Sequence, residues 1–220
     1  MRTLTCAPEA GSQRMRDVIR KALSDEEIIA SIEAIGRNRF KALKLYFMIG
    51  LPFEREEDCA AIVDLVRRSD RAIRAHHKTA RISLKINPFV PKPFTPFQWA
   101  PMEREGALRE KAAYLERELR GLKGTALKVG SIRKGVFQAI LAKGDRRLAP
   151  PLLRAAIGGI SFPSSLVRAG LDPEFYLYRE RGEDEIFPWD FIDHGFQKRW
   201  LVKEFRRARK AASRSGEEGA

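Results

Sequence analysis

The chain has 220 residues, 44% of them hydrophobic and 32% charged, with a net charge of +13. That length suits one domain, or one domain with an appendage, and the apolar fraction is enough for a packed core. No apolar run approaches the roughly 20 residues that span a bilayer, and the opening MRTLTCAPEAGS lacks the apolar segment of a signal peptide, so a cytoplasmic protein with no membrane contact is expected.

Residues 3–7 read as a short strand ending at Pro8. Ser12 follows as an N-cap, and Met15, Val18, Ile19 and Ala22 recur at helical spacing. Ser24 with Glu27 three residues later forms a capping box ahead of Ile28, Ile29, Ile32 and Ile35, and Gly36 marks the expected stop. The run LKLYFMIGL, residues 43–51, carries a single charge, as a strand covered on both faces would. Gly50 and Pro52 break it. Glu54, Glu56, Glu57 and Asp58 then supply an acidic first turn that complements a helix dipole, and Ile62, Val63, Leu65, Val66 and Ile73 mark the buried side of that helix. Residues 81–87 alternate again as a strand, with Ile82, Leu84 and Ile86 on one face.

Residues 87–99, NPFVPKPFTPFQW, pack four prolines and four aromatics into thirteen positions. Proline fixes φ and removes a backbone donor, so this stretch is neither helix nor central strand but a stiff, extended loop. It either lines a cavity mouth or forms a satellite core beneath an ordered loop. A helix over residues 102–122 follows, with Leu108, Ala112, Leu115 and Leu119 in register.

Strand and helix alternating at these spacings predict consecutive βαβ units and a parallel sheet. Ligand sites of such folds lie at the carboxyl ends of the strands, which brings PEAGS, GLPFE and NPFVPKP around one mouth. Beyond Gly124 the pattern changes. ALKVGSI reads as one more possible strand, residues 135–160 as helical with a break at Pro150 and Pro151, and residues 172–196 as aromatic without a period. From residue 197 to 214 there are eight Lys or Arg against one Glu, on a basic amphipathic helix expected to bury Trp200, Leu201 and Phe205. Residues 213–220 are a polar tail expected to fray. The organisation expected is a parallel α/β unit over 1–123, an α-rich extension over 124–212 and a disordered tail over 213–220.

The chain carries neither GxGxxG nor GxxxxGK[ST], so no dinucleotide or triphosphate cradle is written in it. Cys6 and Cys59 are too few and too far apart for a disulfide scaffold or zinc ribbon, and each reads as a small buried hydrophobe. His76, His77 and His194 have no i, i+4 partner of the kind a helical metal site uses, and no metal is expected on them.

Taken together, LTCAPEAGSQRMRDVIRK, KLYFMIGLPFE and the proline loop resemble the second half of the partial TIM barrel of the radical SAM superfamily, in the group that often carries an N-terminal cobalamin-binding domain. The resemblance continues into GDRRL, residues 144–148, and PWDFID, residues 188–193, and so covers nearly the whole chain. It implies an α/β fold formed by the C-terminal half of a radical SAM barrel, parallel βαβαβα, with a mostly helical extension. It also implies S-adenosylmethionine as cofactor, cleaved reductively to a 5′-deoxyadenosyl radical, and a 4Fe–4S cluster.

Gly50 and Glu54 match the last Gly and Glu of the family's GxIxGxxxE pattern, while Tyr46 and Met48 replace its first Gly and its Ile. By the same resemblance Glu9 and Ser12 reach the ribose and methionine portion of the cofactor, and Asn87 leaves the strand that follows. Each has a simpler reading beside it. Gly50 serves a strand-to-helix turn, Glu54 is a first-turn carboxylate, and Ser12 is an N-cap.

The chain departs from the family in lacking CxxxCxxC, the three thiolates that hold the cluster. The resemblance therefore places the cluster loop, and any cobalamin domain, on a missing N-terminal half encoded upstream, and this chain alone is expected to be inactive. Two other readings remain open. The basic C-terminal helix could hold RNA phosphates as a docking module of an RNA-modifying enzyme, or the chain could be a non-catalytic remnant.

Overall fold

The computed structural model describes residues 3–214. The polar tail expected over 213–220 lies outside them apart from its first two residues. Four strands, β1 (Thr3–Glu9), β2 (Ala42–Ile49), β3 (Arg81–Pro88) and β4 (Thr125–Val129), form one sheet in the order β1-β2-β3-β4, and every pairing is parallel. The α/β class and the parallel sheet expected from the sequence are thus present. The sheet also runs past the boundary at 123, because β4 is a full member of it, paired residue by residue with β3 from Ile82↔Thr125 to Ile86↔Val129.

The first five helices are α1 (Gln13–Val18), α2 (Asp25–Arg37), α3 (Glu56–His76), α4 (Glu105–Leu119) and α5 (Ile132–Lys143). Helices α2 to α5 pack on one face of the sheet, whereas Met15 and Val18 of α1 belong to a separate cluster. Leu43, Leu45, Phe47 and Ile49 of β2 and Ile82, Leu84 and Ile86 of β3 are 0–1% exposed and meet Ile28 and Ile32 of α2, Ile62 and Val66 of α3, Leu108 and Leu115 of α4, and Ile140 of α5 in one core. Burying a side chain of this size stabilises the fold by about 1.5–3 kcal/mol.

The opposite face is open except at its carboxyl end, where Met48 packs against the cluster of Met15, Val18 and Leu51. Lys44, Ser83, Lys85, Ala126 and Lys128 are exposed on it, and Tyr46, Met48 and Asn87 are half-buried. The expectation that residues 43–51 are covered on both faces is therefore corrected. Their apolar look came from Leu43, Leu45, Phe47 and Ile49 on one side, with Tyr46 and Met48 adding hydrophobic character to the other, where only Met48 is packed, against the cluster of Met15, Val18 and Leu51.

Local signals account for most boundaries. Ser24 accepts from Glu27 N at 3.1 Å while Glu27 Oε2 accepts from Ser24 N at 2.8 Å, the capping box the sequence predicts. Gly36 does not end α2, which runs to Arg37. Its missing side chain serves helix packing instead, since a Cβ there would sit 3.0 Å from Ile73 O and 3.1 Å from His76 Cβ of α3. The reversal falls on Arg39, at φ 52°. Strand β1 continues past Pro8 to Glu9 through a register shift between Cys6 and Glu9, a place where an edge strand tolerates proline.

The C-terminal part contains α6 (Ala149–Ile157), α7 (Phe162–Arg168), α8 (Pro173–Leu177) and α9 (Lys198–Arg214), with 3-10 turns at Pro96–Trp99 and Arg146–Leu148. Pro150 and Pro151 open α6 rather than breaking a helix, because the first turn has no intrahelical donor to lose. Leu148, Phe162, Leu166, Tyr176 and Leu177 join the main core, so this extension packs directly on the α/β unit.

No helix among the described residues is long and apolar enough to cross a membrane.

Candidate functional site at the strand ends

Three of the five non-glycine residues with positive φ stand where the strands give way to loops: Glu9 at 68°, Phe53 at 69° and Phe94 at 58°. Left-handed backbone in such residues costs on the order of 1–3 kcal/mol each and persists only where surrounding contacts enforce it. Those contacts can be named.

After β1, Gly11 lies against the backbone of α3, where a Cβ would be 2.6 Å from the Ala61 carbonyl carbon. Ser12 caps α1 by accepting from Met15 N at 3.1 Å and donates to Asp58 Oδ1 at 2.6 Å. Asp58 also accepts from Arg55 N at 2.8 Å and pairs with Arg14. Against the upward push of burial, hydrogen bonds from Arg14, Ser12 and the Arg55 N–H hold its carboxyl below the ordinary Asp value. Arg16, fully buried, donates to Ala10 O at 3.2 Å, Gly11 O at 2.9 Å and Leu23 O at 2.8 Å, and pairs with Asp25. The PEAGS loop is thereby clamped from both sides.

After β2, Gly50 has φ 76° and donates its N–H to Glu54 Oε2 at 2.7 Å. The Glu54 side chain is 2% exposed and meets Lys111 Nζ at 2.7 Å; Lys111 also reaches Glu103 at 2.8 Å. Burial raises the Glu54 carboxyl, opposed by the Lys111 ammonium and the Gly50 N–H. A Cβ on Gly50 would stand 2.7 Å from Leu108 Cδ2 and 2.8 Å from Glu103 Cβ, so its bare side faces α4. Gly50 and Glu54 thus build the turn on the helical side of the sheet.

After β3, Asn87 sits on the open face beside Met48, its register partner, with its Oδ1 2.6 Å from where a Gly130 Cβ would be. Of the five residues singled out in the sequence, Ser12, Gly50 and Glu54 are engaged in structural hydrogen bonds. Glu9 and Asn87, half-buried at the ends of β1 and β3, make none with their side chains among the described residues.

The proline loop forms a satellite core at this mouth. Trp99 is fully buried and packs with Phe187 at 5.9 Å and Phe205 at 5.7 Å between ring centroids, while Phe187 stacks on Trp189 at 4.8 Å. Gln98, 2% exposed, ties the cluster together by accepting from Trp189 Nε1 at 2.9 Å and Phe94 N at 3.1 Å. Helix α9 lies against it and against α1, with Phe205, Ala208 and Ala212 inside. Trp200, expected inside, is 53% exposed. The buried stripe runs 201, 205, 208 and 212, and Trp200 is one residue, about 100°, off it.

Many cations of α9 are committed. Arg207 donates to Asp17 O and Val18 O at 3.0 and 3.1 Å, Lys198 meets Asp190 at 2.6 Å, and Arg206 pairs with Glu183. Arg14 and Arg55 in turn hold Ala212 O at 3.3 and 3.2 Å. The pairing of Arg14 with Asp58, and of Arg14 and Arg55 with Ala212 O, was not legible in the sequence, because these partners lie 44, 198 and 157 positions apart.

The thiols do not suit a cluster. Cys59 is buried and its thiol is pushed up to about 12, first by burial and then by the Glu54 charge; burial likewise raises half-buried Cys6. An iron–sulfur centre needs thiolates, and no group of three His, Cys, Asp or Glu able to hold a metal occurs among the described residues.

No protein-family model matches the chain, and no solved structure matches it. An uncharacterized protein of Methanocaldococcus jannaschii is 32% identical over 148 residues, which are 67% of this chain and 31% of that protein. The chain therefore spans 31% of the length of the curated relative that it matches.

Proposed function

We propose that this chain is the C-terminal half of a radical SAM barrel, with the carboxyl ends of β1, β2 and β3 forming the wall that holds the adenosyl part of S-adenosylmethionine. The observation that carries this reading is the wiring of the sheet: sequential parallel strands with α2 to α5 on one face and the other face open over most of its length. Right-handed crossovers between sequential parallel strands all fall on one side, which is the construction of a barrel wall, whereas a doubly wound sheet is covered on both sides.

On this reading Glu9 and Asn87 contact the cofactor, since they stand at the carboxyl ends of β1 and β3 and their side chains make no hydrogen bond among the described residues. Ser12, Gly50 and Glu54 act one step removed, by fixing the loops. The cofactor, when bound, supplies the 5′-deoxyadenosyl group for radical chemistry. The residues present do not fit a 4Fe–4S cluster, so its ligands belong to a cysteine-rich partner segment that completes the barrel along the outer edge of β1. A sheet edge of this kind offers unpaired N–H and C=O groups to another strand.

The test is calorimetric titration of S-adenosylmethionine into the 220-residue protein, beside a Glu9→Gln, Asn87→Ala double variant. Saturable binding at millimolar concentration or below, weakened at least tenfold in the variant, is expected. No binding, or equal binding by the variant, overturns the assignment.

A further inference from the structure

The open face of the sheet carries a second pattern. Register places Tyr46 beside Lys85 and Lys85 beside Lys128, while Lys44, one pleat earlier, lies beside Ser83. Register neighbours are about 4.8 Å apart and alternate residues about 7 Å along a strand, so the three lysines stem from a patch about 12 Å across. All three are exposed, none is ion-paired among the described residues, and the strand positions that share this face include no Asp or Glu before the rim at Glu9. Lys85 Nζ is 5.8 Å from the Tyr46 ring centroid.

This arrangement is costly as bare surface. Like charges directly opposite one another on neighbouring strands destabilise a sheet. Lysines do protect sheet edges from unwanted pairing, yet Lys44 and Lys85 sit on β2 and β3, the two central strands. An anion bound at this face would relieve the repulsion. A single carboxylate would answer one ammonium and leave two, whereas a phosphomonoester carries about two negative charges and a diphosphate more, with several acceptor oxygens each. Ser83, Asn87 and the Tyr46 hydroxyl add neutral donors on the same face.

We infer that the open face binds the phosphomonoester or diphosphate group of the substrate, through Lys44, Lys85 and Lys128. This rests on the barrel reading, which makes the face the wall of the reaction cavity, and goes beyond it by assigning the substrate class.

The experiment titrates inorganic pyrophosphate into the 220-residue protein at low and high salt, with citrate and a single-stranded 12-mer RNA as competing arms. Variants are Lys85→Gln, Lys128→Gln and, as a control on α9, Lys203→Gln. Saturable pyrophosphate binding is expected, reduced at least tenfold by Lys85→Gln or Lys128→Gln, reduced by salt and unchanged by Lys203→Gln. The two open-face substitutions remove repulsion, so both variants keep the wild-type circular dichroism spectrum.

Absence of pyrophosphate binding, binding that survives both open-face substitutions, or tighter binding of citrate or of the RNA each overturns the inference. S-adenosylmethionine titrated into the unsubstituted protein separates the two assignments. Pyrophosphate binding without cofactor binding there refutes the barrel site alone, and cofactor binding without pyrophosphate binding refutes the phosphate site alone.

Discussion

Replacing Lys143 by methionine should abolish the rise of stability with pH in a narrow window. Lys143 ends α5, is 1% exposed, and donates to Ala100 O at 2.6 Å. Arg181, itself 5% exposed, lies beside it and donates to Lys143 O at 2.9 Å. Burial first, then the Arg181 and Arg179 charges, lower the ammonium from 10.5 to about 7. A folded pKa depressed below the unfolded one means that, between about 7 and 10.5, the unfolded chain binds a proton that the folded chain does not. Stability therefore rises with pH there, by about 1.4 kcal/mol per pH unit, or about 3 kcal/mol between pH 7 and 9.

Above pH 9 the buried Cys59 thiol, raised to about 12, works in the opposite direction, so the window closes. Below pH 7 both states are protonated and the full penalty, on the order of 5 kcal/mol, is present. Methionine fills a similar volume without charge but leaves Ala100 O unpaired, at a cost of about 1–3 kcal/mol. Urea unfolding at pH 6 should find Lys143→Met more stable than the natural protein by about 2–4 kcal/mol. The advantage should be gone by pH 10. Two stability curves that run parallel from pH 6 to 10 would refute the reasoning.

Two further substitutions test the strand-end architecture. Gly50→Ala places a Cβ against Leu108 and Glu103 in a left-handed conformation, and should lower the urea midpoint by the equivalent of about 1–3 kcal/mol without changing the slope; an unchanged midpoint would show that the turn relaxes freely. Phe205→Ala removes the ring that joins Phe53, Phe97 and Trp99 and should cost about 3–5 kcal/mol, with loss of near-ultraviolet dichroism. Trp200→Ala, five residues earlier on the same helix, should change stability by less than about 0.5 kcal/mol. Equal costs at the two positions would contradict the facing of α9.

Much of the fold follows from short-range signals. The box at Ser24 and Glu27, the alternation at Ile82, Leu84 and Ile86, and the stripe of Leu108, Ala112, Leu115 and Leu119 are each set by residues within a few positions of one another, and all appear as expected. Errors occur where one residue type serves two purposes. Gly36 reads as a stop because glycine ends helices, but α3 needed the space. Pro150 and Pro151 read as a break because proline interrupts helices, but they occupy a first turn. Trp200 reads as buried because it is large and apolar, although it lies just off the stripe that Phe205 defines.

The candidate site was legible in part. That PEAGS, GLPFE and the proline loop gather at one end follows from parallel strands joined by crossovers, which place every strand's carboxyl end on the same side. What each residue does there did not follow. Ser12 is committed to Asp58, 46 positions away, and Glu54 to Lys111, 57 positions away, and such pairings have no period to betray them.

By itself, then, the sequence determined the order of strands and helices up to Leu119 and the end of the sheet where the loops converge, since propensity, capping and periodicity act locally. Only the tertiary structure decided which face of the sheet stays open, which loop residues are spent on holding their neighbours, and that Lys85 stands beside Lys128. Those outcomes depend on strand register and long-range packing, and the energy of a pair 43 residues apart exists only once the chain has brought the two together.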